Sequence, residues 1–146
     1  MSCIVSPPLP EVIREITSGI RQQMAFRTYR AANELRNAAL DVLRGQRGGR
    51  RYRVPHTKRY YIASAPGQPP AVRTGTFRNS WQPSMEYSGS TFLGKIESDA
   101  RTDNGRYVLG ELLENGTSRM APRPHHDRIK EKAEPKIVRI YSEPYF

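Results

Sequence analysis

The sequence predicts an α+β fold: a long N-terminal helix packed on a small antiparallel sheet of three or four strands, with a short second helix. Three observations predict it. Apolar or small residues recur with a helical period over residues 10–44. Two alternating segments flank Ser88-Gly89-Ser90, and a polar segment near the end is followed by a β-prone one.

In the first, Ile13, Ile16, Ile20, Met24, Thr28, Ala31, Leu35, Ala38 and Val42 keep a mean spacing near 3.6. Pro10 is tolerated in a first turn, Glu11 and Glu15 suit the positive end of the helix dipole, and Arg44-Gly45 closes the helix. Such a rod spans roughly 50 Å at about 1.5 Å per residue, too long to be covered by the rest of a small domain. Part of it is expected to pack on another subunit, and Gly19 is the expected place for a kink.

Residues 45–63 read as a basic loop without apolar period. No Asp or Glu occurs from Val42 through Met85, so the positive charge concentrates here. The prolines of Ser64-Ala65-Pro66-Gly67-Gln68-Pro69-Pro70 exclude a central strand or a helix interior. Thr76 to Trp81 reads as a helical turn or strand start, and Ser80–Tyr87 with Thr91–Ser98 as a hairpin. Tyr107 to Leu113 forms a third strand or short helix. Pro124 to Glu134 reads as a short polar helix and Lys136 to Tyr141 as a last strand. Residues 1–146 make one domain: an arm over 1–9, the helix over 10–44, the loop over 45–63, and the sheet with its short helix over 64–146. Trp81, Phe77 and Phe92 are expected in the core.

The apolar fraction is only 36%, with 11 glycines and 12 prolines, so the chain has much loop and a modest core. A net charge of +10 draws it toward something anionic. Cys3 is the only cysteine, which rules out an internal disulfide and fits folding in a reducing cytoplasm. The opening Met-Ser-Cys-Ile-Val-Ser-Pro-Pro has neither a basic n-region nor an apolar h-region, and nowhere do 18 apolar residues run together. The expectation is a protein neither exported nor membrane-spanning.

No constellation for catalysis emerges. His56, His125 and His126 are the only imidazole bases, no Gly-x-Ser-x-Gly elbow is present, and the glycines from Gly45 to Gly49 lack the Gly-Lys-Ser/Thr of a phosphate loop. His125-His126-Asp127 is the one group that suggests a metal, but adjacent side chains diverge, so neither metal nor cofactor is expected. The basic loop is the stronger feature. Arg44, Arg47, Arg50, Arg51, Arg53, Lys58 and Arg59, with Tyr52, Tyr60 and Tyr61 nearby, are candidate contacts to DNA or another anionic partner. The plainer reading is a solvated basic loop, and no helix-turn-helix, zinc-finger or RNP signature points to sequence-specific reading.

Two blocks carry a resemblance. One is Ser64-Ala65-Pro66-Gly67-Gln68-Pro69-Pro70-Ala71-Val72-Arg73-Thr74-Gly75-Thr76-Phe77-Arg78-Asn79-Ser80, and the other is Leu112-Leu113-Glu114-Asn115-Gly116-Thr117-Ser118-Arg119-Met120-Ala121-Pro122-Arg123-Pro124. Their order and spacing after a long helix resemble the head-tail joining (neck, or tail-completion) family of long-tailed siphophages, over nearly the whole chain. Gln68 stands where that family has an acidic or neutral residue, and His125 where it has an aromatic that packs under the second helix.

The resemblance implies a non-enzymatic virion protein, made in the bacterial host cytoplasm. Identical subunits would form a ring, six-fold to match a tail or twelve-fold to match a head connector. It would dock on a head-completion or connector protein and on a tail-terminator protein, with the phage DNA passing through its bore and no membrane involved. Pro66, Gly67, Pro69, Pro70, Arg73, Gly75, Glu114, Arg119 and Arg123 are the expected assembly interface. Gly67 and Gly75 allow sharp turns in a proline-stiffened segment, which loses little entropy on docking. Glu114 is placed to pair with Arg119 or Arg123 across the Asn115-Gly116 turn, either within a subunit or between two. The rival expectation is a basic nucleic-acid-binding protein acting through its arginine loop.

Overall fold

The computed structural model describes residues 8–45 and 47–145. Residues 1–7, which hold Cys3 and most of the expected arm, lie outside the described residues, as do Gln46 and Phe146. The α+β class is as predicted. Helix α1 spans Leu9–Val42, 34 residues, with a proline in its first turn and Glu11 beside it, and it runs unbroken through Gly19. It ends where Leu43 N–H bonds to the Ala39 carbonyl at 3.0 Å and Arg44 N–H to that of Asp41 at 3.2 Å, just before Gly45.

Among the described residues the strands number four but form two separate hairpins. Strand β1 (Arg51–Arg53) pairs antiparallel with β2 (Tyr60–Ile62), putting Tyr52 opposite Tyr61. This hairpin lies inside the expected loop. Cross-strand contacts make it: the Tyr52 and Tyr61 rings are 6.0 Å apart and the Arg51 guanidinium sits 4.3 Å from the Tyr60 ring centre. After the short helix α2 (Thr76–Asn79), β3 (Trp81–Ser88) and β4 (Thr91–Ser98) form the expected hairpin, in register from Trp81↔Ser98 to Ser88↔Thr91. Of the two alternatives for the next segment the helix holds, α3 over Leu109–Asn115.

The expected final strand is instead the second half of a helix, α4, running His126–Tyr141. Ile137, Val138 and Ile140 are β-branched and read as strand when taken alone. Ile129, Ala133, Ile137 and Ile140 nevertheless recur at helical spacing, and this stripe packs on α1. Pro135 sits inside the helix, where it removes the bond to the carbonyl of Glu131. Glu131 and Pro135 are both exposed, so that carbonyl faces water rather than the interior.

The C-terminal half of α1 is the common partner of α4 and of the β3–β4 hairpin. The core gathers Ala38, Ala39, Leu43, Trp81, Ile129 and Ala133, with Phe77 and Ile96 packed against it. Alanines on both helices let their backbones approach closely. Gly94 does the same for β4: a Cβ there would lie 2.9 Å from the Thr28 carbonyl oxygen of α1. Phe92, expected in the core, stacks on Tyr87 at 4.8 Å and is only half-buried. No helix among the described residues is long and apolar enough to cross a membrane.

Candidate functional site

The two sequence blocks meet. Pro66 leads into a turn in which Gly67 has φ +80°, and Gly67 N–H reaches the Pro122 carbonyl of the second block at 3.3 Å. Arg128 of α4 donates to the Gly67 carbonyl at 3.1 Å. The side-chain oxygen of Gln68 accepts from Gly48 N–H at 3.0 Å and Ala65 N–H at 2.9 Å. Arg47 holds the rest of the segment, donating to the carbonyls of Val42 at 2.7 Å, Pro69 at 2.8 Å and Pro70 at 3.2 Å. Burial, then the nearby Arg128, pushes its guanidinium pKa down. Pro69 and Pro70 are themselves buried within the subunit, whereas Pro66, Gly67 and Arg73 are exposed. Gly75, at φ +84°, opens α2.

Between the blocks lies a groove of about 730 Å³. Pro66, Pro70, Arg73, Gly75, Arg119 and Arg123 all line it, so six of the nine expected assembly residues converge on one surface. Gly67, Pro69 and Glu114 are not among its lining. Leucines, Phe77 and the prolines make one wall apolar, and Tyr52 and Tyr61 bring the β1–β2 hairpin to its rim. Arg78, Arg101 and Asp103 also line it. Sequence reasoning did not single them out as site residues. Arg78 was visible in the acid-free stretch, while nothing marked Arg101 or Asp103, which only the chain path after β4 brings here.

The basic residues of the expected loop divide. Arg50, Arg51, Arg53, Lys58 and Arg59 are exposed together on the β1–β2 hairpin, and Arg44 is exposed at the end of α1. Arg47 is committed to carbonyls inside the subunit.

Glu114 does not pair with Arg119 or Arg123. Its Oε2 accepts from His125 N–H at 2.9 Å and His126 N–H at 3.2 Å, tying the end of α3 to the start of α4, and lies 2.9 Å from His125 Nδ1. The carboxylate thus meets the free N–H groups and positive end of α4, a better site than a mobile arginine across a turn. Burial raises the Glu114 pKa, but these N–H bonds and the neighbouring imidazoles outweigh it and hold the carboxyl below its ordinary value. His125 is fully buried, edge-on to Phe77 at 5.5 Å and Trp81 at 6.0 Å. Its ring is therefore packed as part of the core at the start of α4. Burial lowers its pKa, and the Arg123 carbonyl and Glu114 only partly oppose this.

No family model matches the chain, and neither curated proteins nor solved structures give a match.

Glu114, His125 and His126 each offer a ligand atom within 4.8 Å of the others, so Glu114 rather than Asp127 completes the histidine pair. Glu114 Oε2 already serves three nitrogen contacts there, which accounts for the cluster as a helix clasp.

Proposed function

We propose that the chain is a structural subunit of the neck of a long-tailed bacteriophage, forming a ring that joins head connector to tail and lets DNA pass. The observation that carries this reading is the free half of α1. Leu9, Ile13 and Ile16 form a stripe at helical spacing and are 71%, 54% and 49% exposed, with Phe26 exposed further along. In a chain with so small a core, this much apolar helix calls for a neighbour, and a copy of the same chain supplies one in a closed ring. The convergence of both sequence blocks on one groove gives the subunit a second, different surface, separate from the free helix, for a partner other than its own copies.

On this reading the protein is non-enzymatic and virion-bound. Identical subunits associate six-fold, or twelve-fold if they follow the connector, and the ring contacts a head-completion or connector protein and a tail-terminator protein. The exposed hairpin, with Arg50, Arg51, Arg53, Lys58 and Arg59, faces DNA or an acidic surface. Electron microscopy of particles made without the protein tests the proposal. Separate full heads and tails are expected, and normally joined particles would overturn it.

That same hairpin favours a second reading, a nucleic-acid-binding protein that needs no ring. Exposed Tyr52 and Tyr60 stand beside its cations, ready to stack on bases. DNA binding by isolated subunits that weakens steeply with salt would favour it.

A further inference from the structure

The groove between the two blocks is strongly one-signed. Arg73, Arg78, Arg101, Arg119 and Arg123 line it against the single acid Asp103. Arg78 is committed through Nε to the Leu40 carbonyl at 2.9 Å. The guanidinium groups of Arg73, Arg101, Arg119 and Arg123 have no hydrogen bond or ion pair among the described residues. Nη1 of Arg123 is also shut off from solvent without a partner. A buried charged donor left unpaired is costly, and an incoming anion removes that cost.

Two further features say what kind of anion. The wall carrying Phe77, Leu109 and Leu113 is apolar, which suits a side chain and not a sugar-phosphate backbone. Beside it, Ala71, Val72 and Arg73 make no backbone hydrogen bond among the described residues, leaving open backbone donors and acceptors at the groove. An extended segment laid along the groove brings partners for them. The volume, about 730 Å³, lies within the range of roughly 300–1,000 Å³ for ligand clefts and is far too small for a duplex.

We propose that this groove binds an extended acidic segment of another protein, with carboxylates on Arg73, Arg119 and Arg123 and an apolar side chain against Phe77 and Leu113. The inference goes beyond the neck reading and stands or falls without it, since it concerns binding by the isolated subunit.

The test is fluorescence anisotropy of a short capped peptide alternating leucine and glutamate, titrated with the full chain. Saturable binding is expected, with an alternating leucine–lysine peptide failing to bind. The exposed double variant Arg73→Gln/Arg119→Gln should weaken binding about tenfold or more, the loss of at least one charge-assisted hydrogen bond. Lys130→Gln/Arg139→Gln removes equal charge from exposed positions of α4 outside the groove and should change affinity by less than about twofold, since exposed charges away from the groove add little. No binding of the acidic peptide would overturn the proposal, as would equal losses in the two double variants. Displacement of the peptide by inorganic phosphate or short duplex DNA would assign the groove to phosphate instead and overturn it too.

Discussion

Glu114 Oε2 lies 2.9 Å from His125 Nδ1, and the pair closes the junction between α3 and α4 over the core. The Arg123 carbonyl lies 3.1 Å from the same nitrogen, so two acceptors face Nδ1 and favour the neutral tautomer that carries its proton there.

This junction makes the fold acid-sensitive. His125 is held below the ordinary imidazole value of about 6.5, so below that pH the unfolded chain binds more protons than the native one. Stability is therefore fullest above about pH 6.5 and falls as pH drops toward the lowered native value. Glu114 acts with the same sign at lower pH: its contribution is present above about pH 4.3 and is lost as pH falls through its depressed native value. Urea unfolding between about pH 7 and pH 5 should show the first loss, and His125→Phe should flatten it while keeping the aromatic packing. An unchanged slope in that variant would place the titration elsewhere.

Arg27 of α1 is buried and donates to the carbonyls of Glu143 and Pro144, with its guanidinium 4.0 Å from the Tyr145 ring centre. Arg27→Leu should lower stability by about 2–3 kcal/mol, from lost charged hydrogen bonds and the cation–π contact. Thermal unfolding should show a fall of several degrees, together with faster proteolysis after Tyr141. A fall no greater than that of Arg21→Leu would show that the tail contact contributes nothing.

At Gly94 any side chain meets the Thr28 carbonyl of α1. Gly94→Val should destabilise by about 1–3 kcal/mol through overpacking, while the same change at Gly19, where nothing lies within 4 Å, costs little. Chemical denaturation of the two variants side by side decides between them.

The exposed stripe of α1 should behave in the opposite way. Ile13→Glu with Ile16→Glu should leave the melting of the isolated subunit nearly unchanged, within about 0.5 kcal/mol. On the proposed neck role, joining of heads to tails should fail in complementation with this variant. Normal joining would remove the free helix from the assembly surface.

Much of this architecture was legible in the residues. The period from Ile13 to Val42 gave α1, and the alternation around Ser88-Gly89-Ser90 gave the β3–β4 hairpin, because each pattern is local and each face meets one environment. The end of α4 was not legible: Ile137, Val138 and Ile140 favour strand alone, and only the alanine face of α1 decides for helix. The β1–β2 hairpin hid among arginines, since its strands bury almost nothing and no apolar alternation marks them. Of the site, the two blocks were visible as candidates, yet their meeting in one groove depends on the Gly67–Pro122 bond, and the partner of Glu114 depends on where α4 begins. Arg47 shows the same limit, since its charge suggested an outward role while its geometry serves the neighbouring carbonyls.

Arg27 also marks the point at which α1 leaves the body of the subunit: beyond it toward Leu9 the helix is largely uncovered, and behind it Ala31 and Ala32 begin the buried half. A stiff rod clamped at one end is a cantilever. Load applied near Leu9 or Ile13 arrives as torque at the Ala38, Ala39 and Ala133 seam, where close-packed alanines leave little room to yield.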